Sequence, residues 1–251
     1  MAKIQCNVIS YTLMRTVDID VILPSVTIPE SLCIGEDGIK GNCNVHHDYT
    51  HKLPVLYLLH GFGNNHAQWC GYTNIELYAE ERQIAVVMIS GENKKYIDTI
   101  DDFFVNFIRN ELPEFITSVF PISKRKEDTY IAGLSMGGFG ALYHGLSCPN
   151  QYQAIGAFSP GLVMENNPVN IYDVLDQSNS QAPVFITCGD KDFCYEPNVQ
   201  FVKALEEKSM NYTWISEENY GHEWRFWDLS VERFLDWLPR TDDYAKKKRK
   251  I

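Results

Sequence analysis

Apolar and polar side chains alternate over Ile4–Ser10 and again over Val17–Leu23. A period of two predicts half-buried antiparallel strands, the second closed by Pro24. The pattern then changes. Pro54–His60 and Ile84–Ile89 are continuous apolar runs, the signature of strands buried on both faces. Further strands are expected at Tyr130–Leu134, Ala154–Phe158, Pro183–Cys188 and Tyr212–Ser216. Helices are expected over Ala67–Glu81, Asp101–Val119, Ala141–Cys148, Asn198–Lys208 and Glu223–Leu238. In the second of these Phe104, Phe107, Ile108, Leu112 and Ile116 recur at helical spacing, with Pro113 expected to kink it. Strands alternating with helices imply a mostly parallel central sheet with helices on both faces, an α/β fold. No linker or repeat interrupts residues 1–251, which read as one domain with a loop insertion at 30–53 and a basic tail at 241–251.

The chain is organised around Gly133-Leu134-Ser135-Met136-Gly137, which joins the apolar run from Tyr130 to the helix-forming segment from Ala141. In a strand–turn–helix context a Gly-x-Ser-x-Gly turn strains the serine and exposes its hydroxyl above the sheet. Ser135 is therefore the candidate nucleophile. Glycine is required at 133 and 137 because a Cβ there would collide with the neighbouring strand or helix.

Composition narrows the function classes. Apolar residues at 45% and aromatics at 13% can fill a sizeable core, which excludes a disordered chain. A net charge of -11 argues against a nucleic-acid partner, whose binding needs Lys and Arg against phosphates. The run Lys246-Lys247-Lys248-Arg249-Lys250 reads as a solvated terminus. Seven cysteines, an odd number, fit reduced thiols; Cys188 ends an apolar run and reads as core, and Cys33 and Cys43 would pair only on export. Met1–Cys6 holds no signal-peptide core and no stretch reaches membrane-spanning length, so a cytoplasmic protein without a membrane partner is expected, or a secreted one if a leader was removed. The 30–53 insertion gathers Cys43, His46, His47, Asp48 and His51, but no spacing among them matches a metal-ligand pattern. No metal and no cofactor are expected.

In an open α/β sheet reactive groups gather beyond the carboxyl ends of the strands. Three loops there accompany Ser135. Tyr220-Gly221-His222-Glu223-Trp224 supplies His222 as the base a serine hydroxyl needs, and a carboxylate behind it would fix the tautomer. Gly189-Asp190-Lys191-Asp192 offers two carboxylates. Asp190, at the start of the turn, is placed to bond nearby backbone N–H groups, while Asp192 lies further round, where it can reach across to His222. The order serine, acid, histidine is the one α/β hydrolases use. Gly61-Phe62-Gly63, after the first buried strand, suits an oxyanion hole built from the N–H of Phe62 and that of Met136. Trp69, Tyr72 and Trp224 lie near these loops and could stack on a phenolic acyl group or a sugar or equally belong to the core; Trp69 and Trp224 are the substrate-binding candidates.

These pieces resemble the putative-esterase (esterase D-like) family of α/β hydrolases, nearest its tributyrin esterase and its feruloyl or acetylxylan esterase members. The matching stretches are Leu58-Leu59-His60-Gly61-Phe62-Gly63-Asn64-Asn65, Gly133–Gly138, Cys188-Gly189-Asp190-Lys191-Asp192-Phe193 and Gly221-His222-Glu223-Trp224-Arg225-Phe226-Trp227, with Tyr96-Ile97-Asp98 resembling the family's Tyr-x-Asp segment. The family's acid position falls on Asp192. The resemblance implies a cofactor-free serine carboxylesterase acting through an acyl-serine on short acyl or hydroxycinnamoyl esters, often of sugars. It also admits an S-formylglutathione hydrolase-type thioesterase or an acyltransferase. A non-catalytic binding module on the same scaffold would have no reason to keep Ser135, His222 and the acid loop together.

Overall fold

The computed structural model describes residues 1–25, 32–35, 38–42 and 50–242. Strands β1 (Ala2–Ser10) and β2 (Arg15–Leu23) form the antiparallel pair expected of them, joined in register from Ala2↔Leu23 to Ser10↔Arg15. Next come β3 (Leu32–Gly35) and β4 (Gly38–Asn42), then β5 (Val55–Leu59), β6 (Ala85–Ile89), β7 (Thr129–Leu134), β8 (Ala154–Phe158), β9 (Val184–Gly189) and β10 (Tyr212–Glu217). Eight of them make one sheet in the order β1-β2-β6-β5-β7-β8-β9-β10, in which β2 alone runs against its neighbours. The order places β5 and β7 side by side near the centre.

Alternation within each strand divides the core. Val55, Tyr57 and Leu59 of β5 join Val87, Ile131 and Ile155 on one face. Leu56 and Leu58 join Val86, Tyr130, Ala132 and Phe158 on the other. Both faces are covered by helices: α1 (Gln68–Tyr72), α2 (Ile75–Glu81), the helical stretch α3 at 104–119, α4 (Met136–Ser147), α5 (Ile171–Gln177), α6 (Tyr195–Glu207) and α7 (Trp224–Trp237). The α/β reading of the sequence is correct.

Three local expectations need correction. β2 is buried on both faces rather than half-buried, because α2 lies over one face and the main core over the other. The helix expected over Ala67–Glu81 is two. Thr73 is extended and turns its N–H back on Trp69 O, and Asp228 then accepts from the N–H of Asn74 to start the next helix. Pro113 stands where the regular helical pattern is broken. A π-helical stretch, Phe107–Glu111, precedes Leu112–Val119, and the Arg109 carbonyl, four residues before the proline, accepts instead from Gln151 Nε2 at 3.1 Å. The insertion is not all loop, since β3 and β4 pair as a separate two-stranded sheet. Helix α5 was not anticipated, although Asn170 caps it through Tyr172 N–H and Ile171 and Leu175 are buried at helical spacing. The Cys33–Cys43 pairing, the ligand candidates Cys43, His46, His47 and Asp48, and the run Lys246–Lys250 lie outside the described residues, whose account at Cys33 stops at the backbone. Among the described residues no helix is long and apolar enough to cross a membrane.

One buried polar group ties this frame to the serine turn. His144 on α4 is fully buried; it accepts from Arg109 Nε–H through Nδ1 (3.2 Å) and donates from Nε2 to Tyr96 O (2.8 Å). Burial, reinforced by the Arg109 charge, pushes its pKa down to about 3. Unfolded, the same side chain takes up a proton near its ordinary value of roughly 6.5. Between these two values the unfolded chain binds more protons, so stability should fall as pH falls through that window, by up to about 1.4 kcal/mol per pH unit from this group. Urea denaturation from pH 7 to pH 4 should show a shallower decline for His144→Asn, which keeps a donor and an acceptor but cannot titrate. Equal slopes in the two proteins would refute the assignment.

Candidate active site

At the end of β7 the chain enters the left-handed region at Ser135 (φ 52°, ψ −118°) and leaves it directly into α4. Such a conformation is unfavourable for a non-glycine residue and persists only where the surroundings enforce it. Here they do: Ser135 N–H donates to Phe158 O and its carbonyl accepts from Gly161 N–H, both at 2.9 Å. The flanking glycines permit the crossing. A Cβ at Gly133 would stand 2.4 Å from Gly137 O, and one at Gly137 would stand 2.4 Å from Leu59 O.

The loops after β9 and β10 bring the other two groups to the serine. Gly189 passes under Tyr220, Asp190 N–H donates to Glu217 O, and Lys191 N–H donates to Tyr220 O (2.9 Å each), lacing the loops together. His222 Nε2 then lies 2.9 Å from Ser135 Oγ, and His222 Nδ1 lies 3.0 and 2.9 Å from the two carboxylate oxygens of Asp192. A carboxylate only accepts, so Nδ1 carries the proton and Nε2 is free to accept from the serine hydroxyl. Asp192 is 5% exposed. Burial by itself would raise its pKa, but hydrogen bonds from His222, the Cys194 N–H (2.8 Å) and Ser159 outweigh that and hold the carboxyl below its ordinary range. Asp190 faces outward instead, accepting from Asn219 N–H (2.6 Å) and pairing with Lys191 (3.1 Å).

The loop after β5 faces the serine turn. Among the described residues no hydrogen bond uses the N–H of Phe62 or of Met136, leaving two donors beside Ser135 without protein acceptors. The loop is braced from beneath. Buried His60 donates from Nδ1 to Gly61 O (2.7 Å), accepts at Nε2 from Gly91 N–H (2.8 Å), and its carbonyl accepts from Tyr96 Oη–H (2.9 Å). Burial pushes the His60 pKa down, which keeps the neutral form that this pairing requires.

A cavity of about 480 Å³ opens in front of Ser135, lined by Phe62, Asn93, Lys95, Met136, Met164 and Phe193 among others. Phe62 is 61% exposed on the side of the free N–H groups, and Phe193 is 77% exposed with its ring 4.4 Å from the His222 ring. These are exposed aromatics beside Ser135 and His222. Trp69 is fully buried, its indole N–H donating to Leu59 O (3.1 Å), and has no face to offer a substrate. Trp224 stacks on Tyr72 (5.0 Å) and meets Trp69 edge-on, outside the cavity's lining. Both tryptophans are large and lie next to motif residues, which is why sequence proximity selects them. Phe193 follows Asp192 directly and could have been found the same way; Asn93 and Lys95 carry no such signal. Asp192, Cys194 and His222 also bring three potential metal ligands within 4.8 Å of one another, but Nδ1 and the carboxylate are already committed to each other.

Residues 39–238 match the family model described as putative esterase. An acetyl esterase of Caldicellulosiruptor saccharolyticus is 30% identical over 231 residues, covering 77% of this chain and 86% of that one. Among solved structures, the fluorophosphonate-binding serine hydrolase FphF of Staphylococcus aureus superposes with a TM-score of 0.80 at 24% identity, covering 94% of this chain and 98% of that one. The ferulic acid esterase AmCE1/Fae1A of Anaeromyces mucronatus, in complex with ferulic acid, gives 0.71 at 18% identity, covering 93% and 89%. At those identities the structural likeness is one of fold, and the family rests on the sequence matches. The chain belongs to the putative esterase family and is a carboxylic ester hydrolase on an α/β-hydrolase scaffold.

Proposed function

We propose that this protein is a serine esterase in which Ser135 is the nucleophile, His222 the general base and acid, Asp192 the orienting carboxylate, and the N–H groups of Phe62 and Met136 the oxyanion hole. The observation that carries the proposal is the hydrogen-bonded chain from Ser135 Oγ through His222 to Asp192, at 2.9 Å on either side of the imidazole. In the first step Oγ bonds to the ester carbonyl carbon while its proton passes to Nε2, and the carbonyl oxygen becomes an anion facing the two N–H donors. The C–O bond to the alcohol then breaks, Nε2–H protonates the departing oxygen, and an acyl-serine remains. Water repeats the sequence, with its proton going to Nε2 and returning to Ser135 Oγ as the acid leaves.

The substrate class follows from the cavity. It is open, without a lid among the described residues, and is lined by two exposed aromatic rings, Phe62 and Phe193. Such a site suits short acyl groups or a flat hydroxycinnamoyl group on a small alcohol or sugar, and it offers little enclosed surface to a long aliphatic chain. The acetyl esterase relative and the ferulic acid esterase neighbour support the same class. The test is a hydrolysis panel of nitrophenyl acetate, butyrate and octanoate with methyl ferulate and S-formylglutathione. The highest kcat/KM is expected on the acetate or butyrate, with measurable turnover of the ferulate. Preference for octanoate would contradict the cavity argument, and preference for S-formylglutathione would move the assignment to a thioesterase.

A further inference from the structure

Phe62 N–H is useful only if its direction is fixed, and packing at the tip of the turn does not fix it. Phe62 is mostly exposed, Gly63 is in the left-handed region (φ 77°), and nothing lies within 4 Å of where a Gly63 Cβ would be. Packing therefore does not hold the tip of this turn. Two peptide planes meet at Phe62. The inner one carries Phe62 N–H itself, and its carbonyl end, Gly61 O, is held by His60. The outer one joins Phe62 O to Gly63 N. Its carbonyl accepts from Asn64 Nδ2 (3.1 Å), a bond within the turn that moves with it. Its N–H donates to Asn93 Oδ1 at 2.8 Å, across a sequence separation of 30 residues. Among the described residues, that bond ties the outer plane to the rest of the fold.

Asn93 is exposed, but the loop that carries it is held on both sides. Its loop bends through left-handed conformations at Glu92, Lys95 and Tyr96 (φ 49°, 58° and 60°), which are unfavourable in non-glycine residues. The bend is enforced by Gly91 N–H on His60, Tyr96 Oη–H on the His60 carbonyl, and Lys95 Nζ on the carbonyls of Glu165 and Asn166 (2.9 and 2.8 Å). Strained backbone that presents one side chain to a catalytic turn has a use for that side chain. We propose that Asn93 is a positioning residue of the oxyanion hole, holding the Phe62–Gly63 peptide so that Phe62 N–H points at the developing oxyanion.

This rests on the assignment of Ser135 and Phe62 above. In Asn93→Ala the donor remains but is correctly aimed for only part of the time. The expected loss is roughly tenfold in kcat, short of the 10²–10³-fold seen when a donor is removed outright, with KM within about twofold. Binding of benzeneboronic acid, whose tetrahedral adduct with Ser135 places an oxygen in the hole, should weaken in parallel. Asn93→Asp keeps the Oδ1 acceptor and should recover most of the loss. The inference is overturned if Asn93→Ala leaves kcat and boronate affinity unchanged, if it raises KM alone, or if the aspartate variant is no better than the alanine one. A fluorophosphonate labelling control separates the two readings: labelling of Ser135 in an enzyme indifferent to Asn93→Ala overturns this inference alone, whereas no labelling of the wild type overturns the site assignment and this inference with it.

Discussion

Ser135→Ala should lower kcat by about 10⁶-fold, the scale seen when the serine of a hydrogen-bonded triad is removed, while the folded protein persists. Chemistry and structure separate cleanly at this position. Among the described residues the one side-chain bond of Ser135 is that to His222, and the half-buried side chain fills no core space. Its unusual backbone conformation is enforced by Phe158, Gly161 and the two flanking glycines, none of which senses the change. Circular dichroism and the urea midpoint should therefore stay close to wild type. A fluorophosphonate should add its mass to the wild-type protein and not to the variant. Residual esterase activity within a hundredfold of wild type would mean that another nucleophile does the work.

The parts of this fold that could be read from sequence are those in which one physical rule dominates. β5 and β6 sit between other strands with helices on both sides, so every residue is apolar and the strands announce themselves. The serine turn is legible for a similar reason: only glycine fits where β7 and α4 cross, and that requirement leaves a mark in the sequence. The misreadings arise where two rules compete. Over Ala67–Glu81 the helical apolar spacing is genuine, but Thr73 is extended and Asn74 N–H finds its partner in Asp228, 154 residues away.

The candidate site divides in the same way. Ser135, Asp192 and His222 each follow a strand end within a short motif, and local sequence names them. Asn93, Lys95 and Met164 reach the cavity because distant loops are folded against one another, through bonds such as Lys95 Nζ to Glu165 O. No period or motif records such a juxtaposition. Trp69 shows the converse, since nearness in sequence to a catalytic loop says nothing about which way a side chain faces.

Asp192→Asn should lower kcat by about 10⁴-fold, as loss of tautomer control does in a worked serine protease, and Asp190→Asn should change it by no more than about threefold, the scale of an exposed ion pair. The two aspartates stand in one turn, but their partners differ. Asp192 uses Oδ1 to accept from Cys194 N–H and from His222, and Oδ2 to accept from His222, with Ser159 a further donor to the carboxylate. An asparagine has one acceptor. With its oxygen on the Cys194 N–H, its NH₂ group faces His222 Nδ1, which must then accept a hydrogen bond and lose its proton to Nε2. In that tautomer Nε2 cannot take the proton of Ser135, and the base is disabled without being displaced. Asp190→Asn keeps an oxygen for Asn219 N–H and loses only the exposed pairing with Lys191, far from the imidazole. Rates of both purified variants on nitrophenyl butyrate, with circular dichroism to establish folding, decide between them. If Asp190→Asn is the inactive protein, the carboxylate behind His222 has been misassigned.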